Sequence, residues 1–209
     1  MTIIKICGIK ILKDALAAID AGADYLGFNF YPKGVRFIEK EICAEITSVL
    51  RREYPRIKLV GVFVNYSADE VKNILETCSL DLAQLHGDET PETFAQLAPQ
   101  AFKAFRGIPL DVTGYERNEV PALLVDAAVK GMYGGSGVTA DWTAAAELTK
   151  KYPLLLAGGL TPENVAEAVG RVNPWGVDVA SGVESAAGEK DAAKMIQFVK
   201  EVKRMEISK

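Results

Sequence analysis

At 209 residues, 49% hydrophobic and 25% charged, the chain has the composition of a folded domain with a sizeable core, which excludes disordered and fibrous proteins. A formal net charge of −4 argues against a nucleic-acid or anionic-membrane surface, so an anionic ligand must be held by local groups. A single histidine, with three cysteines that lack close C-x-x-C spacing, excludes a histidine-built metal cluster and a zinc site and leaves chemistry without metal or cofactor as the expectation.

The first apolar run, IIKIC at 3–7, predicts a strand that ends at Cys7-Gly8. Its lysine, with Lys10, Lys13 and Asp14, breaks any signal-peptide pattern, and no stretch reaches the ~18 apolar residues of a membrane span. Leu12–Ala21 repeats apolar residues at helical spacing before Gly22, a plausible C-cap. YLGFNF (25–30) is the second strand, followed by YPKGVR, and a helix is expected over Glu39–Glu53. KLVGVFV (58–64) ends at Asn65, and Ser67 offers an N-cap for a helix over Ala68–Cys78. DLAQL (81–85) precedes His86-Gly87-Asp88, and Thr90-Pro91 has the cap-then-proline opening of a helix. AFKAF (101–105) leads into Arg106-Gly107, after which 111–120 is too polar to assign. ALLVD (122–126) ends on a carboxylate, with a helix expected over Asp141–Lys150. LLLA (154–157) runs into GGLTPEN, where Thr161 reads as a cap and Pro162 as the first helical residue. GVDVA (176–180) precedes Ser181-Gly182, and a long helix over Asp191–Met205 follows.

Eight short, nearly continuous apolar strands alternating with helices imply a parallel sheet, because parallel neighbours need crossover connections. Closed on itself this is a single (β/α)8 or TIM barrel domain over 1–209, at about 26 residues per unit. The competing arrangement is an open doubly wound sheet.

A barrel keeps its active site where the strands end, and polar residues interrupt the strand pattern mostly at that end. The glycines of GGLTPEN and ASGVES suit a phosphate site, since backbone N–H groups approach an anion where no Cβ intervenes; the plainer reading is tight turns. Gly135-Ser-Gly137-Val-Thr-Ala140 matches a relaxed dinucleotide fingerprint, but it starts well after its strand has ended, which argues against that reading. Cys7 is either a buried apolar filler or a thiol poised as base or nucleophile, with His86 as a conceivable partner for the second role. Cys43 and Cys78 fall within helical patterns and read as core. Asp126, in a semi-apolar mouth, suits a general acid; a structural cap is the alternative. Arg36 is the best candidate for binding a carboxylate bidentately, against a plain surface arginine. Base, acid, phosphate site and carboxylate clamp together suggest proton-transfer isomerisation of a sugar phosphate.

The landmarks KICGI, YPKGVRFI, VGVFVN, QLHG, LLVDA, YGGSGVTADW, AGGLTPENV and GVDVASGVE, in order from residue 5 to 184, resemble those of the phosphoribosylanthranilate isomerase family. The resemblance implies an Amadori rearrangement of N-(5-phosphoribosyl)anthranilate in tryptophan biosynthesis, without a cofactor. It implies Asp126 as general acid on the furanose ring oxygen, Cys7 as general base at C2, and Arg36 on the anthranilate carboxylate. Gly158, Gly159, Ser181 and Gly182 would hold the phosphate, Asp178 would help order the site, and His86 is present without an assigned step. Two positions depart from the family pattern: Ala140 where an aromatic is expected, and SGVESAAGEKD without a proline before its glycine. Rival readings are another sugar-phosphate isomerase or epimerase of the same fold and a non-catalytic phosphate-binding barrel. Among the isomerases, the related aminoaldose isomerase of histidine biosynthesis would be expected to carry aspartate where Cys7 stands. The expected partner is a small phosphorylated aminosugar. Reduced thiols point to a cytoplasmic protein, and monomer and homodimer both remain open.

Overall fold

The structure, a computed structural model, describes residues 1–126 and 142–207. Eight parallel strands, β1 (Ile3–Cys7), β2 (Tyr25–Asn29), β3 (Lys58–Phe63), β4 (Leu82–Leu85), β5 (Ala101–Arg106), β6 (Leu123–Asp126), β7 (Leu154–Ala157) and β8 (Gly176–Val179), close into a barrel in chain order. The β1–β8 ladder, from Ile3 opposite Gly176 to Ile6 opposite Val179, makes the closure, which rules out the open sheet. The outer helices are α1 (Leu12–Ala21), α2 (Lys40–Glu53), α3 (Ala68–Thr77), α4 (Pro91–Leu97), α5 (Trp142–Thr149), α6 (Val165–Val172) and α7 (Ala192–Ile207). No helix among the described residues is long and apolar enough to cross a membrane. The fingerprint-like segment 135–140, with Ala140, lies outside the described residues.

Local signals account for most helix ends. Ser67 accepts from the Glu70 N–H while the Glu70 carboxylate returns to the Ser67 N–H, a complete capping box. Thr90 caps α4 with Pro91 in the first turn, and Gly22 ends α1 in the left-handed region at φ 104°. The start of α6 differs from expectation. Asn164 Oδ1 accepts from the Thr161 N–H at 2.8 Å and Nδ2 donates to the Gly159 carbonyl, so 161–164 forms a side-chain-tied turn and the helix begins at Val165.

The polar stretch after β5 forms an irregular layer in place of a helix. Tyr115 packs edge-on against Phe94 and Phe105 and donates to the Glu89 carbonyl, while Arg117 donates to the Ala101 carbonyl. After β8 a single 3-10 turn (Ser181–Val183) leads into a short antiparallel hairpin, β9 (Glu184–Ala186) and β10 (Glu189–Lys190), absent from the sequence expectation.

Successive strand side chains alternate between the helix layer and the barrel interior. Outward residues such as Leu26, Phe28, Leu59 and Phe63 join Leu50, Val71 and Phe198 of the helices in the main core. Inward residues divide by height. Tyr25, Val60, Phe102, Leu124 and Leu155 form an apolar plug in the barrel. Above it, at the C-terminal ends, the inward positions turn polar: Cys7, Asn29, Gln84, Asp126 and Asp178.

Candidate active site

These inward residues line a cavity of about 280 Å³ at the C-terminal mouth, together with Arg36, His86, Gly158, Gly159 and Ser181. Of the site residues implied by the resemblance, Gly182 alone does not line it. A Cβ at Gly182 would run into the Leu160 carbonyl, so this glycine lets the loops after β7 and β8 meet. A larger hollow of about 570 Å³ opens between Tyr25, Tyr54 and Arg56 and contains none of these residues. Residues of catalytic type at converging strand ends decide in favour of the smaller one.

Cys7 ends β1 and is 8% exposed. Its sulfur sits over Gly27 of the neighbouring strand, where a Cβ would lie 2.7 Å from Sγ. Burial pushes the thiol above its ordinary pKa; Lys5 is the main influence in the other direction, Asp178 adds to the rise, and Lys190 opposes it. Asp126 ends β6, paired in register with Ala157 of β7 and Arg106 of β5. The acid and base candidates therefore stand on different sides of one mouth.

On the β7–β8 side, Gly158 and Gly159 both take positive φ, 99° and 65°, a conformation that favours glycine. Among the described residues, nothing lies within 4 Å of where a Gly159 Cβ would project, so the backbone there is open to close approach. Ser181 begins the 3-10 turn on the same rim.

Arg36 is in the cavity wall but is already engaged. Its Nε and Nη2 donate to the two carboxylate oxygens of Glu184, both at 2.7 Å. Glu184 also accepts from Lys190 at 2.9 Å, and Lys190 donates to the Ala180 carbonyl. Burial works against the Glu184 carboxylate, yet the hydrogen bonds from Arg36 and Lys190 hold its pKa at about 2. The fork is thus fixed along one edge, leaving its other N–H groups for a ligand.

His86 lies 3.1 Å by Nδ1 from the Gln84 amide, and no hydrogen bond joins it to Cys7 among the described residues. Burial lowers its pKa, reinforced by Lys5 and Arg106 and opposed by Asp126 and Asp178, which favours the neutral ring. A cysteine–histidine nucleophile pair is not assembled. The loop carrying His86 is held from below: Glu89 accepts from the Asn65 and Gly87 N–H groups and from buried Lys103 at 2.9 Å.

Sequence reasoning missed Lys5, Gln84, Glu184 and Lys190. For the first two a signal existed, a polar residue within an apolar strand. Lys5 is wholly buried and donates to Asp178 Oδ1 at 2.7 Å.

A family model described as N-(5'phosphoribosyl)anthranilate (PRA) isomerase matches residues 4–201. The chain belongs to this isomerase family. An N-(5'-phosphoribosyl)anthranilate isomerase of Geotalea uraniireducens is 48% identical over 206 residues, covering 97% of this chain and 99% of that protein. The phosphoribosyl anthranilate isomerase structure from Thermotoga maritima superposes with a TM-score of 0.86 at 36% identity, covering 98% of this chain and all of that one. A further isomerase structure, in complex with reduced 1-(o-carboxyphenylamino)-1-deoxyribulose 5-phosphate, gives 0.80 at 32% identity, covering 98% of this chain and all of that one.

Proposed function

We propose that Cys7 and Asp126 divide between them the proton transfers of the isomerase reaction, with the glycine-rich rim and Arg36 holding the two ends of the substrate. The reaction is an aldose–ketose isomerisation of N-(5'-phosphoribosyl)anthranilate, a step of tryptophan biosynthesis. The observation that carries the assignment is that Cys7 and Asp126 line one small cavity from separate strands, between an anion-suited glycine rim and a guanidinium.

In this reading Asp126 gives its proton to the furanose ring oxygen. The C1–O bond breaks as the anilino nitrogen's lone pair forms the C1=N bond of a protonated Schiff base. Cys7, as thiolate, takes the proton from C2; the C–H electrons become the C1=C2 bond and the C=N electrons return to nitrogen. The resulting enolamine loses its hydroxyl proton and gains one at C1 to give the ketone. Positioned acid and base of this kind each contribute about 10²–10⁴-fold. Phosphate meets the open backbone at Gly158 and Gly159 with Ser181, the anthranilate carboxylate meets Arg36, and Asp178 orders the floor. All of these groups come from one chain, so monomer and homodimer serve equally. A reactive thiol beside two further free cysteines suits a reducing, cytoplasmic compartment.

The test follows anthranilate fluorescence with substrate generated in situ, in the parent, Cys7→Ala and Asp126→Asn, with the ketose product identified by mass. Product from the parent and a kcat lower by at least ~10²-fold in each variant is expected. Full activity in Cys7→Ala would return the cysteine to the core, and a folded parent that binds substrate without turnover would make the barrel a binding protein.

A further inference from the structure

Lys5 has no part in the steps above, yet it is a fully buried lysine in the barrel interior. A buried ammonium is costly even when paired, and an apolar side chain of similar length commonly serves stability as well or better. Its placement is specific. Lys5 and Cys7 are two residues apart on β1, so their side chains share the inward face. The β1–β8 register sets Lys5 opposite Asp178, which accepts from Nζ at 2.7 Å and lines the same cavity as the sulfur.

We propose that Lys5, anchored by Asp178, is a positioning residue for proton abstraction: its fixed positive charge beneath the sulfur favours the thiolate form of Cys7. The proposal rests on the reading of Cys7 as the base. Among the described residues, the charged groups that act on the sulfur are Lys5 on its own strand, Asp178 on β8, Lys190 on β10 and Arg36 from the loop after β2. The adjoining strand β2 presents Gly27, without a side chain, and His86 and Asp126 share the cavity from β4 and β6. Lys5 is the largest influence opposing the effect of burial on the thiol, and Asp178 acts the other way. Burial on its own lowers the Lys5 pKa, but Asp178 and Cys7 more than offset it, and the ammonium persists.

The charge at position 5 makes the test. Alkylation of Cys7 by iodoacetamide, read from the mass of its peptide across a pH series, reports thiolate formation in the free protein. Lys5→Met and Lys5→Gln should each move the Cys7 profile to higher pH by about 1–3 units, while Lys5→Arg should stay near the parent. In turnover, Lys5→Met should lose roughly tenfold or more in kcat at neutral pH, recover toward alkaline pH and change KM less. Loss of packing alone would shift the Lys5→Arg profile along with that of Lys5→Met. That result, or an unchanged profile in folded Lys5→Met, overturns the proposal. If Lys5→Met does not fold, the Lys5→Gln profile decides: an upward shift supports the proposal and any other result overturns it. Should Cys7→Ala keep full activity, the base assignment fails, while the alkylation profiles still decide whether Lys5 governs the thiol.

Discussion

Gly27 lies beside Cys7 in the β1–β2 ladder, and a methyl group there would press on the sulfur at 2.7 Å. Its backbone is not in the left-handed region, so alanine brings steric conflict with the thiol and no conformational strain. Gly27→Ala is therefore expected to fold while displacing the sulfur, and a displacement of about 1 Å can cost roughly 10²-fold in rate. The measurement is kcat beside a thermal melt; parent kcat in the variant would show that the sulfur's seat is unimportant. The same sulfur sets a pH dependence. Burial holds its pKa above the ordinary ~8.5, so the thiolate fraction is small at neutral pH and grows as pH rises. The expected kcat/KM climbs from neutral pH through and past that ordinary value. A flat profile between about pH 7 and 9 would separate the rate from Cys7 ionisation.

At the scale of elements, the β9–β10 hairpin does what no single residue in it could do. Register places Lys190 opposite Glu184, and Glu184 then fixes Arg36 in the cavity wall. Glu184→Gln, which weakens that grip, is expected to raise KM severalfold with a smaller change in kcat, as an effect shared by ground and transition state should. Its stability effect has a definite sign. The folded carboxylate has a pKa of about 2, well below the ~4.3 of an unfolded glutamate, so its contribution is fully present above ~4.3 and is lost as pH falls toward 2. The stability gap between parent and Glu184→Gln, measured by urea unfolding, should narrow as pH is lowered through that window; a constant gap would count against the ion pairs as its source. The hairpin also marks the limit of what the sequence reveals. ESAAGEK has no alternating apolar face, and its pairing comes from tertiary ion pairs that a linear pattern does not display. Strand ends, by contrast, were legible because apolar runs halted at Cys7, His86, Asp126 and Gly158, the places where a barrel opens. Lys5 falls between: its polarity inside a strand was visible, but its partner on β8 becomes apparent only when the barrel closes.

Across the whole molecule, the inward face separates stability from chemistry along the barrel axis. The lower interior is a plug of Tyr25, Val60, Phe102, Leu124 and Leu155, and the upper interior holds the polar cavity. Those two layers place opposite demands on a side chain. The plug rewards close packing, while the mouth holds a thiol, two lysines and several carboxylates in burial that packing alone would not favour. The two ends should accordingly fail differently. Leu155 is fully buried and packs against the bare face of Gly176 across the β7–β8 ladder. Leu155→Ala leaves a cavity in the plug and is expected to lower unfolding free energy by about 2–5 kcal/mol. Its kcat, assayed well below the melting transition, should stay within about twofold of the parent. Cys7→Ala should do the reverse, because removing one sulfur at a partly open mouth leaves little unfilled volume. Denaturant unfolding and kcat measured on both proteins check the separation. A large loss of kcat in folded Leu155→Ala would mean that the plug sets the geometry of the strand ends above it, and that stability and chemistry share one layer of the barrel.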